Sequence, residues 1–297
     1  MKKYRNFVCL FFLVMGMMAA GFAASATYKA KVIVPEASGE KVEKNNDMIM
    51  DYSNASEGYV MVQYLTETDK KLKAQVKGPT GVTYTYNLTV KEWAAFPFSE
   101  GNGSYKITVY QNIAGTSYAT VGSATVDVKL KDEMLPFLTA NQYVNYTKKT
   151  LCVKDAKKVC KGAKNELEKV KKVYDWTLKK FSYSTLKAKS VESGYLPDLD
   201  KVYKSKKAIC FDYAATMTAM LRSQGIPTKL VIGYSGSAYH AWIDVYTEES
   251  GWITGVIYFE GKKWSLMDPT YADTAKSDEK VKEYVGDSSN YTVKYVY

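Results

Sequence analysis

The spacing of apolar residues changes once along this chain, and that change constrains the fold more than any other feature. From residue 29 to about residue 130, apolar and polar residues alternate in short runs. Residues 59–65 are β-rich, 72–77 and 82–88 alternate, and 104–113 and 118–130 carry Val, Ile, Thr and Tyr at alternating positions. A period of two is that of a half-buried strand. Gly78-Pro79-Thr80-Gly81 and Gly101-Asn102-Gly103 punctuate the runs as turns. Roughly seven short strands in about 100 residues predict a β-sandwich.

Residues 134–147 read as a connector, and beyond it the step becomes three and four. Leu167, Val170, Tyr174, Leu178 and Phe181 predict an amphipathic helix over 165–180. A shorter helix is expected near 151–160. A third is expected over 211–223, stopped by Gly225 and followed by Pro227. Residues 228–234, 239–246, 253–259 and 263–267 read as strands, the last two joined by a turn at 260–262. Helices followed by a strand meander predict an α+β domain with an antiparallel sheet. The expected organisation is thus a β-sandwich over 27–132 and an α+β domain over 133–297.

The first 26 residues read as an export signal. Lys2, Lys3 and Arg5 precede an apolar run over 8–20, and Ala24-Ser25-Ala26 offers a small-residue cleavage site. No other stretch approaches the roughly 18 apolar residues of a membrane span. The expectation is a secreted or cell-surface protein with no span left after cleavage. The chain is not disordered by composition, with 46% hydrophobic and 24% charged residues. The net charge is +10, but acidic residues number 31 against 41 basic ones. That mixture, without a recognition motif, argues against nucleic acid as a partner. Residues 148–207 hold eighteen lysines and seven acidic residues. They form a solvated helical face or attract an anionic envelope polymer or membrane surface.

His240 is the only histidine. It excludes a metal site built on two imidazoles and narrows the choice of general base. Three segments then carry chemistry: Ala208-Ile209-Cys210-Phe211-Asp212, Tyr239-His240-Ala241-Trp242-Ile243-Asp244 and Leu266-Met267-Asp268-Pro269-Thr270. A nucleophilic cysteine must be a thiolate. Cys210 stands where the third helix should begin, at the positive end of its dipole. His240 can take the proton, and Asp268 can fix the imidazole if its strand lies beside that of His240. Asp212 and Asp244 are poorer choices for that third role, one on the nucleophile's helix and one four residues along the histidine's strand. Tyr239 and Trp242 either flank a cleft or pack. The Cys210 N–H is a natural oxyanion donor, and Tyr203 is a candidate for the second. Cys152 and Cys160 either pair as a disulfide or remain two thiols of one helix.

At these residues the sequence resembles the transglutaminase-like superfamily, over about 136–270, with Val173-Tyr174-Asp175-Trp176 and Gly225-Ile226-Pro227 included. The resemblance implies a papain-like α+β fold with Cys210 as nucleophile, His240 as base and Asp268 as orienter. Where that family often has Gly, two residues before the cysteine, this chain has Ala208. Residues 103–110 are similar to a late strand of an immunoglobulin-like module, without its two cysteines. The expected activity is that of an exported thiol enzyme on amide bonds of protein or peptide substrates, of the cell envelope among others. It would form a thioester and resolve it as a peptidase-like hydrolase, or with an amine as a cross-linking acyltransferase. The contrasting expectation is a surface binding or scaffold protein that keeps the fold without the reaction. No metal and no organic cofactor is implied.

Overall fold

The computed structural model describes residues 28–254 and 290–297, with the backbone of 257–260 and 263–266. The stretch read from sequence as an export signal, and Asp268, lie outside the described residues.

The first part holds eight strands: β1 (Val42–Lys44), β2 (Met48–Asp51), β3 (Tyr59–Tyr64), β4 (Leu72–Lys77), β5 (Thr83–Leu88), β6 (Trp93–Pro97), β7 (Gly103–Ala114) and β8 (Ser117–Val128). They form two four-stranded antiparallel sheets, ordered β1-β2-β3-β6 and β5-β4-β7-β8. The alternation read from sequence is the cause. In β4, Leu72, Ala74 and Val76 are buried while Lys73, Gln75 and Lys77 are not. They join Met50, Val60, Val62 and Phe96 of the other sheet in one core. Tyr86 of β5 stacks on Phe96 of β6 with ring centres 4.1 Å apart.

The second part begins with α1 (Leu151–Val159) and α2 (Glu166–Lys180). Asn165 caps α2 by accepting from the Glu168 N–H at 2.9 Å, and Val170, Val173 and Tyr174 are its buried stripe. Next come β9 (Ser182–Tyr183), α3 (Thr185–Ser190), α4 (Leu199–Ser205), β10 (Lys207–Ala208) and α5 (Cys210–Ser223). β9 and β10 are a short parallel pair. The strands β11 (Thr228–Ser235), β12 (Ala238–Thr247), β13 (Gly251–Ile253), β14 (Ile257–Glu260), β15 (Lys263–Leu266) and β16 (Tyr291–Val296) complete the described chain. An antiparallel sheet runs β13-β12-β11-β16, and β14 pairs with β15 as a separate hairpin. The single strand expected over 253–259 is therefore two.

Gly225 ends α5 with φ +77°. A side chain there would meet the main-chain oxygen of Tyr28 at 2.2 Å, so the first described residues pack where only glycine fits. Arg222, wholly buried, sits one turn earlier. Its guanidinium donates to the main-chain oxygens of Thr139, Thr228 and Tyr297 at 2.6, 2.9 and 2.8 Å. These bonds tie the connector, β11 and the residue after β16 to α5. A second seam is aromatic: Tyr84 of β5 lies 5.6 Å from both Tyr295 and Tyr297.

Cys152 and Cys160 are both free and buried. The disulfide weighed from sequence is not formed, because α1 runs unbroken between them. Eight residues of helix span about 12 Å, beyond the Cα separation a bridge allows. Burial pushes the thiols up to about 12 for Cys152 and about 11 for Cys160. Neither is placed to act as a nucleophile.

Candidate active site

Cys210 is the first residue of α5 and is half-buried. The approach to it is stiff. Ser182 of β9 and Ser184 just after it donate their N–H groups to the carbonyls of Lys206 and Ala208 at 2.9 Å. Ile209 then takes extended backbone as the residue before the helix. It has no side-chain acceptor, so the helix start is held from the other side. Asp212, wholly buried, accepts the Ile209 N–H at 2.8 Å. The same carboxylate accepts from Lys187 Nζ and from the Tyr195 hydroxyl, each at 2.6 Å. Lys187 also lies 4.9 Å over the Tyr195 ring. Burial, and then the bond to Asp212, raise the Tyr195 phenol above its ordinary range. Asp212 is thus the anchor of the cysteine's turn, with Lys187 as counter-ion. Sequence reasoning missed Lys187 and Tyr195. Asp212 was weighed only as an alternative orienter of the imidazole; the signal that could have found its anchoring role is its place three residues after Ile209, the residue before α5.

Aromatic rings surround this turn. Phe211 lies 5.7 Å from Tyr143 and 6.2 Å from Tyr195, and Tyr143 stacks on Tyr297 at 3.9 Å. Tyr239, at 59% exposure, stands edge-on to Tyr234 at 5.5 Å. Its phenol is pushed up to about 12, first by partial burial and then by Tyr143, Tyr295, Tyr234 and Cys210. Tyr239 therefore lies within electrostatic reach of the Cys210 thiol.

β12 pairs with β11 in regular register from Thr228↔Val245 to Ser235↔Ala238. Side chains accordingly alternate without interruption. Leu230, Ile232, Ala241 and Ile243 share a core with Ala214, Met217 and Leu221 of α5. Tyr239 belongs to that row. His240, Trp242 and Asp244 project from the other face. His240 is buried opposite Gly233, and its ring lies 6.3 Å from Trp242 and 6.5 Å from Tyr291. Gly233 has no room for a side chain, since a Cβ would meet the Thr292 main-chain oxygen at 2.0 Å. Further along the same face, burial pushes the Lys229 ammonium down and Asp244 draws it back up.

Of the residues singled out from sequence, Tyr239 is brought to the Cys210 side of the sheet. His240 and Trp242 stand on the other face of the same strand, and Trp242 is packed, not at a cleft rim. Tyr203 donates its hydroxyl to Asp155 at 2.8 Å and lies under Lys180 Nζ at 3.5 Å from its ring centre. It fastens α4 to α1, a role different from the oxyanion donor weighed for it. Among the described residues no group of three or more His, Cys, Asp or Glu side chains could hold a metal ion.

The family model of the Transglutaminase-like superfamily matches residues 154–255. The uncharacterized protein YebA of Bacillus subtilis (strain 168) is 30% identical over 115 residues, covering 30% of this chain and 15% of that protein. A protein-glutamine gamma-glutamyltransferase of Pseudomonas aeruginosa is 28% identical over 86 residues, covering 24% and 11%. The chain thus spans well under a fifth of either relative's length. Among solved structures, a Cytophaga hutchinsonii protein proposed to be a cysteine protease is 14% identical over 86% of this chain and 73% of that one. Its TM-score is 0.40. Red sea bream transglutaminase is 12% identical over 73% and 48%, with a TM-score of 0.30. Over residues 154–255, a stretch that includes Cys210 and His240, the chain is similar to the Transglutaminase-like superfamily.

Proposed function

We propose that this protein is an exported thiol enzyme that acts on amide bonds of protein or peptide substrates, as a peptidase-like hydrolase. Cys210 attacks the carbonyl, and His240 carries the proton to the departing nitrogen. Asp268 orients the imidazole, and water releases the acyl group from the thioester. The observation that carries the reading is the setting of Cys210. Of the three described cysteines it alone is half-exposed and opens a helix, where N–H groups without intrahelical acceptors stabilise a thiolate and an oxyanion. The two sheets of the first part, as an immunoglobulin-like sandwich, would position the substrate or tether the enzyme to the envelope.

The reading requires His240 to reach the Cys210 side. His240 is the third residue of β12, just after the Gly236 turn. A one-residue shift at that end of the strand exchanges its two rows, bringing the imidazole in and moving Tyr239 out. An amine in place of water would make the same thioester a cross-linking intermediate. The second reading, a surface binding protein that keeps the fold without the reaction, draws on the projection of His240 from the row of β12 opposite Ala241 and Ile243.

Alkylation of the full chain with iodoacetamide at pH 6, read by mass spectrometry at Cys210, separates these readings. The enzyme predicts labelling at least tenfold faster than a free thiol, slowed by His240→Ala, and an acyl adduct with amide probes that Cys210→Ala abolishes. Labelling at the free-thiol rate, unchanged by His240→Ala, would leave the binding protein.

A further inference from the structure

Residues 148–164 hold seven lysines and a single carboxylate, Asp155. That carboxylate does not balance them, because it turns to α4 and accepts the Tyr203 hydroxyl at 2.8 Å. α1 buries Cys152, Val153 and Ala156 in the core and presents Lys154, Lys157, Lys158 and Lys161 to solvent. Those four stand three or four residues apart, where like charges on a helix repel. Lys157 and Lys158, in the last turn, suit the helix dipole. Lys148 and Lys149 do not, since they precede α1 at its positive end. Among the described residues none of the seven belongs to an ion pair, whereas Lys171 and Lys172 of α2 each reach a carboxylate four residues away. The repulsion along α1 serves no contact within the fold.

The same lysines border a concavity. A groove of about 540 Å³ lies between the segment 31–36 and residues 147–149, with Lys31, Lys148 and Lys149 in its wall and Glu36 as its one carboxylate. Its wall is fixed to the connector, where the Ala140 N–H donates to the Ile33 carbonyl at 3.0 Å. Asp200, which accepts the Leu151 N–H at 2.9 Å, lines a neighbouring cavity and not this groove. The groove and the outer face of α1 thus form one basic band.

The band narrows its partner. Its charge calls for an anion, and its length, with α1 alone spanning about 14 Å, for an extended one. A bilayer surface would need an apolar face beside the lysines. The apolar face of α1 is buried, and Val34 is the one large exposed apolar residue in the groove wall among the described residues. Single-stranded nucleic acid would need rings on which to stack its bases, and neither α1 nor the groove wall carries one. Every cation here is lysine, a point charge that reads charge density, not the planar shapes that arginine reads.

We propose that the groove and the outer face of α1 bind a linear polymer of repeated phosphate groups. The interaction is separate from the chemistry of Cys210, so Cys210→Ala should bind the polymer like the wild type.

Calorimetric titration of the full chain with long-chain inorganic polyphosphate tests this. At about 50 mM salt the polymer should bind with a Kd of about 10 μM or tighter, and at about 200 mM salt at least tenfold more weakly, because binding releases its counterions. Tripolyphosphate should bind at least tenfold more weakly than the polymer. The combined variant Lys148→Gln, Lys149→Gln, Lys154→Gln should weaken polymer binding at least fivefold. It should melt no lower than the wild type, since it relieves repulsion at the positive end of α1. Removing as many charges from the exposed surface of the first part, with Lys70→Gln, Lys77→Gln and Lys106→Gln, should change binding less than twofold. The proposal is overturned by no binding of polyphosphate at about 50 mM salt, by equal losses in the two triple variants, or by a lower melting temperature of the first. Tripolyphosphate as tight as the polymer, or tighter binding to phosphatidylglycerol vesicles or to an oligonucleotide, would overturn it too.

Discussion

Lys187 and Asp212 form an ion pair of 2.6 Å in which the carboxylate is wholly buried and the lysine side chain is 27% exposed. The pair sits directly beneath the first turn of α5, so the position of Cys210 depends on an interaction between two helices far apart in sequence.

Removing the carboxylate should be costly. Asp212→Ala leaves the Ile209 N–H, the Tyr195 hydroxyl and a partly buried ammonium without their acceptor. Losing one partner of a buried pair costs about 3–5 kcal/mol. Asp212→Asn, which keeps an acceptor oxygen, should cost less. Urea denaturation checks both, and a loss below about 1 kcal/mol for Asp212→Ala would place the pair among weak surface contacts.

The thiols should separate kinetically. In the folded protein one of the three cysteines outside the first 27 residues should react with a disulfide reagent in the first phase. Cys152 and Cys160, raised to about 12 and 11 by burial, should react only on unfolding. Two or three fast thiols would contradict the packing of α1.

Alkaline pH should destabilise the fold in a predictable direction. The phenols of Tyr86, Tyr146 and Tyr239 are all raised, chiefly by burial, Tyr239 to about 12. Above the ordinary tyrosine value near pH 10, the unfolded chain loses these protons and the folded chain keeps them. This contribution to stability is therefore complete below pH 10 and declines as pH rises through the folded values. Melting temperature against pH, with tyrosinate absorbance as the second signal, should show unfolding and ionisation together. Ionisation of every tyrosine near pH 10 in a folded chain would refute it.

Arg222→Leu should destabilise by about 3–5 kcal/mol, since it strands three buried carbonyls that now share one guanidinium. Gly233→Ala should act more locally, driving β16 away from β11 because its Cβ would overlap the Thr292 oxygen. Hydrogen exchange should then rise in β16 first, and unchanged protection there would count against the close approach.

Much of this architecture was legible in the period of the sequence. β4, β7 and α2 fall where alternation or three-and-four spacing put them, because each buries one clear face, while β11 and β12 read as β-rich apolar runs and are buried on both faces. The elements that escaped reading have weak periods. β1 is three exposed residues, α3 and α4 are under two full turns or barely so, and β16 gains its place only by pairing with β11. The candidate site was legible as residue types and order. Its handedness was not used, though Ala241, Ile243 and Val245 form an apolar row that excludes His240 from the same face. Which row faces α5 is set by tertiary packing, which no local spacing encodes. Asp268 stands outside the described residues, so its place beside His240 remains part of the proposed mechanism.

The aromatic seam has a practical consequence for anyone dividing this chain. Tyr84 is contributed by the early strands and Tyr295 and Tyr297 by the last residues. A cut after residue 132 would therefore leave an oily scar on each fragment, and calorimetry of the intact chain should record a single joint melting of its two ends.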